Sequence, residues 1–180
     1  MEAIVSLAAD PGLLLALRWV LATVFVIGVA HKLAAPADFV AALGNYELLP
    51  RALTAPVARV LIGFEAAAAL ALLADTRAGG GLAAALLVLY TLAIAVNLVR
   101  DRRNIDCGCA GPGVRRPLSG WLVARNGALI ALAAMTAMPH AASRTLTALD
   151  WFTAVCAFAT AGLAYTAAQQ LAASRARFGA

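Results

Sequence analysis

Two of the chain's three cysteines, Cys107 and Cys109, stand one residue apart. They lie in the run Asp106-Cys107-Gly108-Cys109-Ala110-Gly111-Pro112-Gly113. A loop this rich in Gly and Pro is flexible enough to close a small, strained disulfide ring. Strain raises the reduction potential and makes such a bond labile rather than structural. The chemistry indicated is thiol–disulfide exchange, with Cys107 attacking or being attacked and Cys109 resolving. Two other readings stay open: half of a metal site, or a turn with no chemistry. Structural zinc sites use wider spacing and four ligands. Neither His31 nor His140 supplies a second half, so no metal is expected. Cys156, within Trp151-Phe152-Thr153-Ala154-Val155-Cys156, reads as a small buried hydrophobe, with a resolving role as the alternative.

Further polar residues interrupt otherwise apolar runs. His31 and Lys32 close the first run, Arg59 and Glu65 lie inside the second, Asn97 near the end of the third, and Arg125-Asn126 inside the fourth. Charge within a membrane span is expensive and usually serves a function, so Arg125 and Asn126 are expected to face the bundle interior. Cations beside a cysteine favour the reactive thiolate. Lys32 is expected to snorkel to the headgroups instead. Glu65 has two readings: a proton relay or cofactor contact, or a neutral or paired structural acid with Arg18 or Arg59 as partner.

The elements that must hold these groups follow from composition. Of 180 residues, 63% are hydrophobic and 13% charged, with mean hydropathy +0.86. Soluble domains run at about 45–50% apolar and about 25% charged. Disorder is excluded for the same reason. The net charge is +5, but the basic residues sit between apolar runs rather than on one polar surface, which argues against nucleic acid as a partner. The bilayer is the expected environment. Five stretches approach the roughly 20 residues that a crossing helix needs: 13–33, 52–73, 82–99, 121–138 and 149–172. They form one all-α transmembrane domain of four to five spans. The fourth is the weakest, and a re-entrant segment is its alternative. Breakers fall between the runs, among them Gly79-Gly80-Gly81 before the third. Residues 37–49 read as an interfacial helix between spans one and two, with partner docking as the other reading. Gly63 with Ala67, and Gly162 with Thr166, have the spacing of close helix contacts. No cleavable signal peptide is expected, because Glu2 and Asp10 replace a basic n-region.

Orientation follows from the Lys and Arg distribution. On a five-span arrangement only Arg18, Arg77 and Arg144 of the 14 basic residues fall on one side. The N-terminus is then outside, and the C-x-C loop and C-terminus are cytoplasmic. His31 and His140 fall at opposite faces on this arrangement, which gives no support to haem.

Arg18 through His31-Lys32-Leu33, Asn45-Tyr46-Glu47-Leu48-Leu49-Pro50 and Gly63-Phe64-Glu65 resemble the DoxX-like membrane proteins. Adding Asp106-Cys107-Gly108-Cys109-Ala110-Gly111 and Arg125-Asn126, the chain is similar to the MauE branch, the methylamine-utilisation redox-associated membrane proteins. The resemblance covers roughly residues 13–135, and the last span matches only by hydrophobicity. It departs at Ala110, where many relatives carry an aromatic residue. It implies a multi-pass helical bundle in the bacterial inner membrane with a DoxX-like four-helix core. It further implies a thioredoxin-like partner and a role in maturing a disulfide-containing protein. The cysteine pair carries over onto Cys107 and Cys109. That partner chemistry is extracytoplasmic, whereas the charge bias puts the cysteine loop inside. Either equivalents cross the bundle from a cytoplasmic thiol donor, or the arginines surround a site rather than set topology.

The function expected is that of a membrane thiol–disulfide oxidoreductase using Cys107 and Cys109, supported by Arg125, Asn126, Asn97, Arg59, Glu65, His31 and Lys32. No cofactor is required for it. The alternatives are a non-catalytic assembly or docking subunit, and a quinone-linked oxidoreductase in which Glu65, Arg59 and Trp121 line a quinone pocket.

Overall fold

The computed structural model describes residues 10–74, 76–108, 117–138 and 147–178. Among these the chain is helical, in the order α1 (Pro11–Ala34), α2 (Pro36–Asn45), α3 (Arg51–Leu73), α4 (Arg77–Val99), α5 (Gly120–Ala137) and α6 (Ala148–Phe178). Four of them, α1, α3, α4 and α5, are long and apolar enough to cross a membrane. α5 is one continuous helix through Arg125 and Asn126, so the fourth apolar run needs no re-entrant break. Of residues 37–49, expected as the helix joining spans one and two, those up to Asn45 form the short helix α2, and the rest make the turn into α3.

Local chemistry explains the ends. Asp10 caps α1 by accepting from the N–H groups of Gly12 and Leu13, with Pro11 opening the first turn. Thr76 caps α4 by accepting from Gly79 N–H. Thr147 and Asp150 cap each other at the start of α6, the Thr147 N–H and hydroxyl both donating to Asp150 Oδ2 at 2.7 Å.

Helices in a bilayer associate through close packing rather than water exclusion, so small residues sit where backbones meet. Gly79-Gly80-Gly81 is such a place and not the breaker expected from sequence; α4 begins two residues earlier and runs through it. A Cβ on Gly79 would fall 2.5 Å from Leu72 N of α3. One on Gly80 would collide with Thr136 Oγ1 and lie 2.8 Å from Ala137 N of α5. Gly63 and Gly162, expected at contacts, face open space instead: a Cβ on either would meet nothing within 4 Å. Close helix contact therefore does not run through these two glycines.

The central core joins Leu21, Phe25, Leu61, Leu72, Leu86, Leu87 and Leu129, so α1, α3, α4 and α5 share it. α6 lies outside this core, against α1. Its Asp150 backbone touches the Gly12 position. Further along, Trp19 meets the rings of Trp151 at 5.8 Å and Phe158 at 6.2 Å. Cys156 is exposed on α6, which corrects the expectation of a buried hydrophobe: among the described residues of this helix, the face that packs on α1 carries Asp150, Trp151 and Phe158.

Candidate functional site

The cysteine segment is tied down at the end of the bundle where α1, α4 and their following turns finish. Arg102 N–H donates to Asn97 O at 2.9 Å, continuing the end of α4 into a turn. Leu118 N–H reaches back to Arg103 O and Ile105 O, and Asp106 pairs with Pro117 as an isolated antiparallel bridge. The two ends of the loop are thereby pinched together. Cys107 is 7% exposed. It packs in a cluster with Tyr46, Ile94, Leu118 and Leu122. Tyr46 donates its hydroxyl to Cys107 O at 3.4 Å. Gly108 then turns with φ +71, a conformation that favours glycine, and its N–H is 3.3 Å from Asp106 Oδ1. A side chain there would press on Ala42 Cβ at 3.2 Å and on Phe39. Cys109 lies outside the described residues, as does His140.

Asn97 and Asn126 are fully enclosed. Asn97 donates from Nδ2 to Ala93 O at 3.1 Å, while its Oδ1 is buried with no hydrogen-bond partner. Asn126 Oδ1 accepts from Arg125 Nη2 at 2.9 Å and Nε at 3.3 Å, so the half-buried guanidinium is folded back over its neighbour. Both belong to the α4–α5 side of the bundle, where Ile94 and Leu122 contact Cys107.

Lys32 does not snorkel. Its ammonium is enclosed, 5% exposed, and donates to Glu65 Oε1 at 2.5 Å and Oε2 at 2.6 Å; Glu65 is 3% exposed. Tyr90 donates to Glu65 Oε1 at 2.6 Å. The same ammonium lies 5.0 Å from the Phe39 ring centroid and 5.4 Å from that of Tyr90. Glu65 is therefore paired with Lys32, not with Arg18 or Arg59. The correction has a simple cause. An ammonium with a carboxylate, a phenol and two ring faces in reach is better solvated inside the bundle than a lone charge would be. Sequence reasoning missed Tyr90 and Phe39 altogether. Tyr90 stands 25 residues after Glu65, and each ring lies on a different helix from the charge it meets, so no spacing along the chain signals either contact.

The other expected site residues divide. Arg59 is exposed on the outside of α3, away from the enclosed groups, because it follows the buried Ala58 around the helix. His31 is half-buried, with Nδ1 enclosed and unpartnered. Trp121 is exposed. Among the described residues the fold thus sets out two centres, Lys32–Glu65–Tyr90 and the cysteine turn; Asn97 and Asn126 lie about one helical turn from Ile94 and Leu122, which pack with Cys107. Phe39 touches both, with its ring over Lys32 and its edge against Gly108. Among the described residues, no three His, Cys, Asp or Glu side chains group in a way that could hold a metal ion.

Comparison with known proteins finds relatives over most of the chain. Residues 10–139 match the family model described as methylamine utilisation protein MauE. The chain is 39% identical over 166 residues to the methylamine utilization protein MauE of Paracoccus denitrificans, covering 90% of this chain and 88% of that one. It is 36% identical over 158 residues to the MauE protein of Paracoccus versutus, covering 87% and 85%. With that of Methylorubrum extorquens it shares 35% over 133 residues, 73% of this chain and 71% of the other. No solved structure matches.

Proposed function

The chain belongs to the MauE family, and from that premise we propose that it is a membrane thiol–disulfide redox protein serving methylamine utilisation. The observation that carries this reading is the cysteine turn. Cys107 is held in a pinched, glycine-shaped loop at one end of the bundle, with its carbonyl and side chain fixed by residues of α4, α5 and the segment after α2. A structural turn does not need a cysteine at such a position, whereas a reactive pair does need its first sulfur placed.

In the exchange, the Cys107 thiolate attacks a partner's disulfide. One partner sulfur leaves with the S–S electron pair, and a mixed disulfide forms. Cys109, as thiolate, then attacks Cys107 and releases the second partner sulfur. Two electrons pass to the partner, and this chain is left with the Cys107–Cys109 disulfide. The reverse sequence oxidises the partner. The partner proposed is thioredoxin-like, and the end result is maturation of a disulfide-containing protein. The arginine bias supports a site at the cytoplasmic face of the bacterial inner membrane. The quinone-linked alternative groups Glu65, Arg59 and Trp121. Glu65 is enclosed with Lys32 and Tyr90, while Arg59 and Trp121 are exposed, so the thiol reading is the better supported.

Thiol trapping in membranes tests it. Alkylation after acid quench should resolve Cys107 and Cys109 into a reduced and an oxidised form that interconvert with a reductant. The double variant Cys107→Ser, Cys109→Ser should fail to restore growth on methylamine in a strain lacking its own copy. One trapped form under all conditions, or full growth with the double variant, rejects the proposal. Full growth would leave the docking subunit as the answer.

A further inference from the structure

Thiol exchange needs access: the attacking sulfur must reach its target. Cys107 does not offer it, being 7% exposed. Part of what encloses it is Tyr46, the residue that follows α2. Phe39, Ala42 and Tyr46 are spaced by three and four residues, so they form a single stripe on one face of the helix. All three are buried, while Ala37, Asp38, Ala41 and Asn45 on the other face are exposed. The stripe lies on the cysteine turn: Phe39 and Ala42 against Gly108, Tyr46 against Cys107.

α2 is held by Phe39 in the central core, with Val40 and Leu43 packed beside it, so a swing of this helix must turn at its two ends and draw Phe39 out. At its start Ala35 leaves helical geometry, at φ −140 and ψ 68, and offers no side-chain cap. Beyond its end Glu47 has φ 50, a left-handed conformation that non-glycine residues seldom adopt. These are two corners at which a ten-residue helix would pivot. Across the open edge an ion pair joins the segment to the cysteine loop, Glu47 to Arg102 at 2.7 Å, in water rather than in the core.

We propose that α2 is a lid over Cys107, latched by the Glu47–Arg102 pair and the Tyr46 hydroxyl, and that exchange with a partner proceeds only when the lid swings away. The inference rests on the thiol reading for its purpose, but access to the sulfur is measurable without any redox event.

The experiment uses the full chain carrying Cys109→Ser and Cys156→Ser, so that Cys107 is the remaining thiol. The rate of its alkylation by a maleimide is followed by mass. The rate should rise about threefold to fivefold with Glu47→Gln or Arg102→Gln, the scale of losing one exposed ion pair. Tyr46→Phe should accelerate it too. Exchanging the charges, with Glu47→Arg and Arg102→Glu together, should return the rate toward that of the parent; general unfolding would not be repaired this way. Unchanged rates in both latch variants, or acceleration that the charge exchange leaves in place, overturn the lid. If the rates respond while the native cysteine pair shows one trapped form, the lid stands and the redox assignment falls. If the pair cycles and the rates do not respond, the reverse holds.

Discussion

Lys32 and Glu65 form an ion pair that neither residue's position along the chain announces. The two are 33 residues apart, and each is separately consistent with another role: Lys32 as a headgroup anchor, Glu65 as a neutral acid or the partner of an arginine. What decides is desolvation. Once both are enclosed, each charge is tolerable only because the other is present, with the Tyr90 hydroxyl completing the carboxylate's hydrogen bonds. Removing one partner from a buried pair costs about 3–5 kcal/mol, because an uncompensated charge stays behind. Lys32→Met and Glu65→Gln alone should therefore each lower the unfolding temperature in detergent sharply. The double variant Lys32→Met, Glu65→Leu should recover much of the loss. Tyr90→Phe removes one hydrogen bond to a charged group and should cost about 1.5–3 kcal/mol. If the double variant is no more stable than the singles, the pair is not what holds these groups in place.

At the level of elements, glycine is where the sequence misled and where the structure makes its clearest demand. Three consecutive glycines ordinarily interrupt a helix, and the expected third span starts after them at Leu82. In the structure the run lies in the opening turns of α4, where Thr76 supplies a cap. There the absence of side chains lets α4 approach α3 through Gly79 and α5 through Gly80. A helix-breaking signal is local, whereas close approach depends on what lies across the gap, which one chain segment does not encode. The glycines should respond differently to alanine. Gly80→Ala forces a methyl group into Ala133, Thr136 and Ala137, and should destabilise by about 1–3 kcal/mol, as overpacking does. Gly81→Ala meets nothing within 4 Å, and should be neutral or stabilise by up to about 1 kcal/mol through helix propensity. Equal effects at the two positions, in thermal unfolding of the purified protein, would contradict the packing described for α4. α2 shows the same division of legibility: its helical character is readable from residues 37–49, but its contact with the cysteine turn is not.

For the whole molecule, the spans are legible because bilayer thickness is a one-dimensional constraint that each segment meets alone. α1, α3 and α5 begin and end within about two residues of the expected limits, inside the usual disagreement over helix ends. The orientation of the bundle in the membrane is a separate matter, and α6 bears on it. It starts beside Gly12 near the beginning of α1 and runs alongside α1 past Trp19. A fifth crossing by α6, running in the same direction as α1, belongs to the proposed topology, which puts Asp10 and the end of α6 on opposite sides. In the orientation proposed from the arginine bias, the end of α4 and the cysteine turn face the cytoplasm. Two positions read this directly in a cysteine-free background: Ala78→Cys at the start of α4 and Arg103→Cys beyond its end, both exposed. In intact cells a membrane-impermeant maleimide should label Ala78→Cys, and Arg103→Cys only after permeabilisation. The opposite pattern would mean that the arginines gather around the cysteine turn for its chemistry rather than for orientation, and that the partner meets Cys107 from outside. Either pattern fixes which compartment's thiol pool the proposed Cys107–Cys109 couple would be poised against, because direction of exchange follows from the difference of the two potentials.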